Sequence, residues 1–244
     1  MVSIMHEERT YRKLMRPDGL ASFTVIENES DLHISAESNL EQNARLALLE
    51  IRSQLCGYIS CHPEFGSSLV PVRVASSAPL IIQKMAQAAS IANVGPMASV
   101  AGAVAEFVGK SLLKNSDEVI VENGGDLFIK CKDAKKVLVH AGDSAFSEKL
   151  SIVLQPSDYP TGVCTSSGKI GHSLSFGKAD AVVALSRNTC LADAAATAVA
   201  NKVKCTQDIE SALSWGMDLP GISGLLIIID DKLGASGNIS LSRP

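Results

Sequence analysis

The sequence predicts an α+β fold in which antiparallel sheet packs against helices, arranged as two modules. Three observations predict it. Short runs of β-branched and aromatic residues occur in residues 9–36 and again in 118–154. Stretches with apolar residues every three or four positions follow each set, at 39–59, 79–113 and 189–204. The order of strands, helices, strands and helices is that of segregated α+β units, not the strict alternation that builds a parallel sheet. The chain is read as one unit over residues 1–244, with an internal boundary near residue 115.

The first elements form a meander: Arg9 to Met15, a turn at Pro17-Asp18-Gly19, Leu20 to Glu27, then Leu32 to Ser35. From Asn39 to Ile59, the positions Leu40, Ala44, Ala47, Leu48, Ile51, Leu55 and Ile59 make one helical face that should cover this sheet. Pro63 and Gly66 are expected to close the helix, and Val70, Val72 and Val74 to form another strand. Pro79 to Ala92 and Met97 to Leu113 read as two helices of small apolar residues, broken at Gly95-Pro96. Strands resume at Glu118 to Val121, Leu127 to Ile129, Lys136 to Val139 and Leu150 to Leu154, as a second sheet. A Gly- and Ser-rich segment leads to a strand at Ala181 to Leu185, helices at Thr189 to Lys204 and Thr206 to Trp215, and a strand at Leu225 to Ile229.

Composition narrows the function classes. With 46% hydrophobic and 20% charged residues the chain is globular, and a formal net charge of -4 gives no basic field for nucleic acid or an anionic membrane surface. The N-terminus lacks the basic start and apolar run of a secretory signal, so a cytoplasmic location is expected. The apolar run Leu225 to Ile229 is far short of the roughly 20 residues that span a bilayer. Six cysteines without C-x-x-C pairing imply free thiols. The basic cluster Arg9, Arg12, Lys13 and Arg16 reads as a solvated strand face, and His62 beside Cys61 as structural.

Three segments carry chemistry: Glu122 to Asp126, Thr161 to Asp180, and Thr189 to Asn201. Asn123-Gly124-Gly125-Asp126 lies between two predicted strands. A hairpin turn needs these glycines for positive φ but does not need Asp126. Successive glycine amides also line anion sites, with Asn123 and Asp126 offering oxygens to a ribose or a cation. In the second segment, Thr165, Ser166, Ser167, Gly168 and Lys169 suit phosphate or carboxylate oxygens, and His172 suits proton transfer near neutral pH. The alternative is a solvated loop. Cys164 is either a small buried hydrophobe or, with a lowered pKa, a nucleophile or sulfur carrier. Asp180 is either a second acid or the start of the next strand.

The third segment is the most informative. Asp193, Thr197 and Asn201 recur every four residues and share one face of a helix that is otherwise small and apolar. A buried carboxylate needs a partner, either a divalent cation such as Mg²⁺, with Asp193 and Thr197 as ligands, or a structural hydrogen bond to the loop.

Gly124-Gly125-Asp126, Thr165-Ser166-Ser167-Gly168 with His172, and Ala192-Asp193-Ala194-Ala195-Ala196-Thr197 together resemble, in order and spacing, the ApbE superfamily. Val94-Gly95-Pro96-Met97-Ala98, Gly171-His172-Ser173 and Phe176-Gly177-Lys178-Ala179-Asp180 extend the resemblance to its shorter ApbE-like subfamily. The resemblance implies two T-fold-like modules, Mg²⁺, and a flavin, FAD or FMN, as a small-molecule or nucleotide ligand. It assigns Asp193, Thr197 and the carbonyl of Ala101 to the metal. It matches Gly124, Gly125 and Asp126 to the glycine-rich turn of the site; with the residue chemistry above, Asn123, Thr165, Ser166, Ser167 and Gly168 join them as candidate cofactor contacts, and His172 and Asp180 are the candidate catalytic groups. Flavin transferases of the superfamily carry a Gly-Gly-x-Ala-Lys-Gly type segment where Ser99-Val100-Ala101-Gly102-Ala103 has no lysine, which separates flavin binding from flavin transfer. Other implications of the resemblance are an accessory role in anaerobic sulfide incorporation, leading to homocysteine, using a thiol such as Cys164, and a non-catalytic scaffold acting as a homo-oligomer.

Overall fold

The computed structural model describes Arg12, residues 19–168 and residues 177–244. Within them, β1 (Ala21–Glu27) and β2 (Ser30–Ala36) form an antiparallel hairpin. The strand expected at 9–15 and the Pro17-Asp18 part of its turn lie outside the described residues. Helix α1 (Glu41–Cys61) buries Ala44, Ala47, Leu48, Ile51 and Leu55, the row that its spacing predicts. Pro63 does not end helical structure. It opens a short second helix, α2 (Pro63–Ser67), at a first-turn position where its missing N–H costs nothing. No strand forms through Val70, Val72 and Val74, because Pro71 removes a ladder donor and Val70 projects into solvent.

Helix α3 (Leu80–Ala92) and helix α4 (Val100–Leu112) are joined through a 3-10 turn at Pro96–Ser99. The chain bends by 102° between them, as the Gly95-Pro96 break requires. No single helix among the described residues is long and apolar enough to cross a membrane. Gly109 lets α4 lie directly on the sheet: a Cβ there would fall 2.2 Å from the Phe128 ring.

Strands β3 (Val119–Asn123) and β4 (Asp126–Lys130) do not start a separate sheet. β3 pairs with β2, with Ile34 opposite Val121, so its inward side chains join the apolar layer already formed. After the hairpin of β5 (Lys135–Leu138) and β6 (Ser151–Leu154), a strand that composition did not reveal, β7 (Thr161–Ser166), pairs with β4. Then come β8 (Ala181–Ser186), α5 (Thr189–Lys202), α6 (Ile209–Met217), β9 (Ile222–Ile229), β10 (Lys232–Gly237) and β11 (Leu241–Ser242). The result is an eight-stranded antiparallel sheet in the order β1-β2-β3-β4-β7-β8-β9-β10, with a three-stranded sheet β11-β6-β5 beside it. Twice the chain runs two strands, a helical stretch and two strands, which is the α+β architecture expected.

Period-two alternation divides the large sheet between two apolar layers. Val121, Phe128, Cys164, Val182 and Leu225 join the helices, whereas Ile120, Leu127, Val163, Val183 and Leu226 pack with Ile152 of the small sheet. Side chains of opposite parity in one strand therefore reach different environments, and this places the site.

Candidate functional site

The β3–β4 connection is a two-residue turn, with Asn123 opposite Asp126 and with Gly124 and Gly125 at φ 66° and 97°. Positive φ at both central positions is the type I′ condition, which glycine meets at no steric cost. Asn123 and Asp126 share parity with Val121 and Phe128, so both project toward the helices. Asn123 Nδ2 donates to the carbonyl of Ala101 at 3.0 Å, tying the turn to the start of α4. Asp126 Oδ1 accepts from Thr165 N at 3.2 Å, tying it to β7.

Helix α5 lies over β7. Its polar row extends one turn further back than the sequence reading placed it: Thr189 precedes Asp193, Thr197 and Asn201 by the same four-residue step. The inward row of β7 is Gly162, Cys164 and Ser166. A two-residue step on a strand advances about 6.6 Å and a four-residue step on a helix about 6.0 Å, so the two rows remain alongside each other. Gly162 fits against Thr189, where a Cβ would lie 2.5 Å from the Thr189 Cα. Cys164 donates to the Thr189 carbonyl at 3.4 Å and feels the charges of Asp126 and Asp193. The matched step puts Ser166 at the level of Thr197.

Asp193 is 9% exposed. Its Oδ2 accepts from Gly102 N at 2.8 Å, in the first turn of α4, where unsatisfied amides and the positive end of the helix favour an anion. Gly102 makes this approach possible, since a Cβ would fall 2.6 Å from the Thr189 carbonyl and 2.7 Å from Asp193 Cβ. Asp193 therefore has a structural hydrogen bond, made to a helix terminus and not to the loop that the sequence suggested. It does not offset burial fully. Desolvation raises the Asp193 carboxyl to about 7, against the lowering by the Gly102 and Ala101 amides. Asp126, buried nearby, is also raised well above the usual carboxylate range, first by burial and then by the charge of Asp193.

The other candidates are placed as follows. Thr197 is buried on α5, and Thr165 to Gly168 run along and beyond the end of β7 toward residue 169. Gly168 fits against Gly177, where a Cβ would lie 2.3 Å from the Gly177 carbonyl. Asp180 stands just before β8, where its Oδ2 accepts from Asp230 N at 2.6 Å. His172 and Lys169 lie outside the described residues. The solvated-loop reading of residues 161–166 is overturned, because they form an interior strand. Cys164 is fully buried, and desolvation followed by two carboxylate charges drives its thiol upward, toward the protonated form. That is the opposite of an activated nucleophile.

Two features escaped the sequence reading. Glu106, buried on α4, accepts from Cys190 N at 3.1 Å and fixes the start of α5. Arg12, read as part of a solvated face, has a largely buried side chain and meets Glu122 and Asp31. Nothing in the spacing of a lone Glu or Arg marks such long-range partners.

A family model described as AbpE bacteria matches residues 12–231. The chain belongs to the AbpE bacteria family. A UPF0280 protein of Methanocaldococcus jannaschii is 40% identical over 203 residues, covering 81% of this chain and 82% of that protein. A UPF0280 protein of Methanococcus aeolicus is 36% identical over 217 residues, covering 86% and 88%. Among solved structures, the flavinyl transferase ApbE of Pseudomonas stutzeri superposes with a TM-score of 0.56 at 11% identity, covering 89% of this chain and 94% of that one. The flavin transferase ApbE of Vibrio cholerae gives 0.57 at 10% identity, covering 91% and 97%. At such identities the likeness establishes a shared fold.

The residues of this family member fit a divalent cation of the oxygen-preferring kind. Among the described residues no group of three or more His, Cys, Asp or Glu is arranged to hold a metal. Two carboxylates and a threonine hydroxyl are oxygen donors of the kind that suit Mg²⁺, and the Ala101 carbonyl, in the first turn of α4, takes the Asn123 amide beside them. Ser166 Oγ and Thr189 Oγ1 are buried along the same rows without a hydrogen-bond partner. An orphaned hydroxyl level with Thr197 is the kind of group a bound ligand would satisfy.

Proposed function

We propose that this AbpE bacteria family member is a Mg²⁺-dependent binder of a flavin or related nucleotide, with the site between the β3–β4 turn and α5. The observation that carries the reading is the buried pair Asp126 and Asp193. The chief influences on the two carboxyls are burial, backbone amides, a thiol and other carboxylates, with no lysine or arginine among them. Like charges in one buried site favour protonation unless a cation joins them. Asp193, Asp126 and Thr197 would hold Mg²⁺, together with the Ala101 carbonyl. When bound, the cation would supply positive charge to diphosphate oxygens.

The chain's own groups supply the rest. The Gly124 amide would serve as a donor to an anionic group, the Gly125 amide being held by Glu122, and Ser166 offers an unengaged hydroxyl. Asn123 holds the turn against α4, so the donors are fixed before a ligand arrives. Asp180 and His172 are proposed as proton-handling groups. The solved neighbours are named as flavin transferases, and this supports a flavin as the ligand. The thiol-carrier alternative gains no support from a neutral, inaccessible Cys164.

The test is titration of FAD and FMN fluorescence with the purified protein, with and without Mg²⁺, for wild type and Asp193→Asn. Saturable binding that needs Mg²⁺ and disappears in the variant is expected. Failure of either flavin to bind wild type under any of these conditions would sink the reading.

A further inference from the structure

Arg12 is far from the β3–β4 turn in sequence, yet its guanidinium reaches the base of that turn. Its Nε donates to Glu122 Oε2 at 2.6 Å, Nη1 to Asp31 Oδ1 at 2.6 Å, and Nη2 to the Asp31 carbonyl at 2.7 Å. Glu122 is 1% exposed, and its other oxygen accepts from Gly125 N at 2.9 Å. One buried carboxylate is thus shared between a cation and a turn amide. Among the described residues a Cβ at Gly125 would meet no atom within 4 Å, and the bond from its amide to Glu122 ties the turn down. His33 lies opposite Glu122 on β2, but burial and the charge of Arg12 favour its neutral form, and among the described residues Arg12 is a cation that meets Glu122 directly.

We propose that Arg12 is a positioning residue for the candidate metal site, acting through Glu122. The guanidinium orients the carboxylate and the carboxylate holds Gly125. The turn then sets Asn123 against Ala101 and Asp126 toward Asp193. The planar fork of arginine serves three acceptors at once, a geometry that a lysine ammonium does not reproduce. Glu122 and Asp126 point to opposite faces of the sheet, so the effect crosses the sheet through the backbone of the turn. The inference rests on the magnesium-site reading for its consequence, but the hold on the turn can be tested separately.

The experiment compares wild type, Arg12→Ala, Arg12→Lys and Glu122→Gln by two measurements. The first is Mn²⁺ titration followed by electron paramagnetic resonance of the free ion. The second is amide hydrogen exchange resolved at the 122–127 peptide. Arg12→Ala should weaken Mn²⁺ binding about fivefold, a factor of the size expected for losing one oriented hydrogen bond. It should also speed exchange at the turn about tenfold while peptides from α1 and α6 keep their wild-type rates. Arg12→Lys should fall between. Turn exchange and Mn²⁺ affinity within about twofold of wild type would overturn the proposal, and so would acceleration spread evenly over all peptides, which marks a purely structural role. If wild type binds no Mn²⁺, the magnesium-site reading fails, and the exchange at the turn alone decides for or against the positioning role.

Discussion

Asp126 and Asp193 face each other across the seam between the β3–β4 turn and helix α5, and the charge of Asp193 adds to burial in raising the Asp126 carboxyl. Folding alone brings these two acids together. The expectations below follow from that and from the packing around it.

Stability without metal should fall as pH rises. An aspartate in the unfolded chain ionises near 4, whereas folded Asp193 does so at about 7, so the folded state binds more protons between those values. The contribution is fully present below about 4, declines as pH climbs, and is gone above about 7. Thermal midpoints in EDTA should drop by several degrees from pH 5 to pH 8, a change of the order of 1–3 kcal/mol. Asp193→Asn should flatten that slope, and excess Mg²⁺ should restore the wild-type midpoint at pH 8. An equal slope in wild type and variant would count against the paired acids.

Gly102→Ala should damage both stability and ligand binding. The new methyl would press on the Thr189 backbone and on Asp193 itself, so α4 and α5 must separate. A cost of about 1–3 kcal/mol is typical of such overpacking. Gly109→Ala provides the comparison: it presses on the Phe128 ring, away from Asp193, and should lower the melting temperature while leaving flavin and Mg²⁺ affinity of the folded protein near wild type.

Asn123→Ala should cost about 1 kcal/mol through loss of the bond to the Ala101 carbonyl. Chemical denaturation measures that loss. Weaker Mg²⁺ binding by calorimetry should accompany it, and unchanged affinity would mean that Asn123 does not align the turn.

Thiol counting should separate two classes. Cys56, Cys61 and Cys205 are exposed, while Cys131, Cys164 and Cys190 are buried. Burial pushes the Cys131 thiol up to about 11 and raises Cys164 and Cys190 as well. A disulfide exchange reagent should therefore titrate the exposed class rapidly in the native protein and the buried class only in denaturant. Rapid native modification of Cys164 would contradict its placement between Asp126 and Thr189.

The sequence was legible where a local period decides the outcome. Ala44, Leu48, Ile51 and Leu55 announce α1, and the four-residue step from Asp193 to Thr197 and Asn201 announces the polar row of α5. Asn123 to Asp126 reads as a turn because only the glycines tolerate its φ angles. Thr161 to Ser166 was read as loop, because Gly162 and the hydroxyls mimic turn chemistry. Its identity as a strand depends on pairing with both β4 and β8, which no local window contains. The same holds for Arg12, whose partners are 19 and 110 residues away, and for the first turn of α4, whose amides receive Asp193 from 91 residues on. Val70 to Val74 show the reverse case, with strand-forming residues left unpaired around a proline.

The matched advance of β7 and α5 has a consequence for how related chains diverge. One residue inserted between 161 and 166 would turn Cys164 and Ser166 onto the opposite sheet face, and one inserted before Asp193 in α5 would rotate the carboxylate by about 100° around the helix. Each rung can accept exchange of its side chains, but neither segment can change length while its rungs stay aligned. Length polymorphism should therefore accumulate in the connections, such as 155–160, and be absent from these two stretches, which behave as a vernier whose two scales must be cut together.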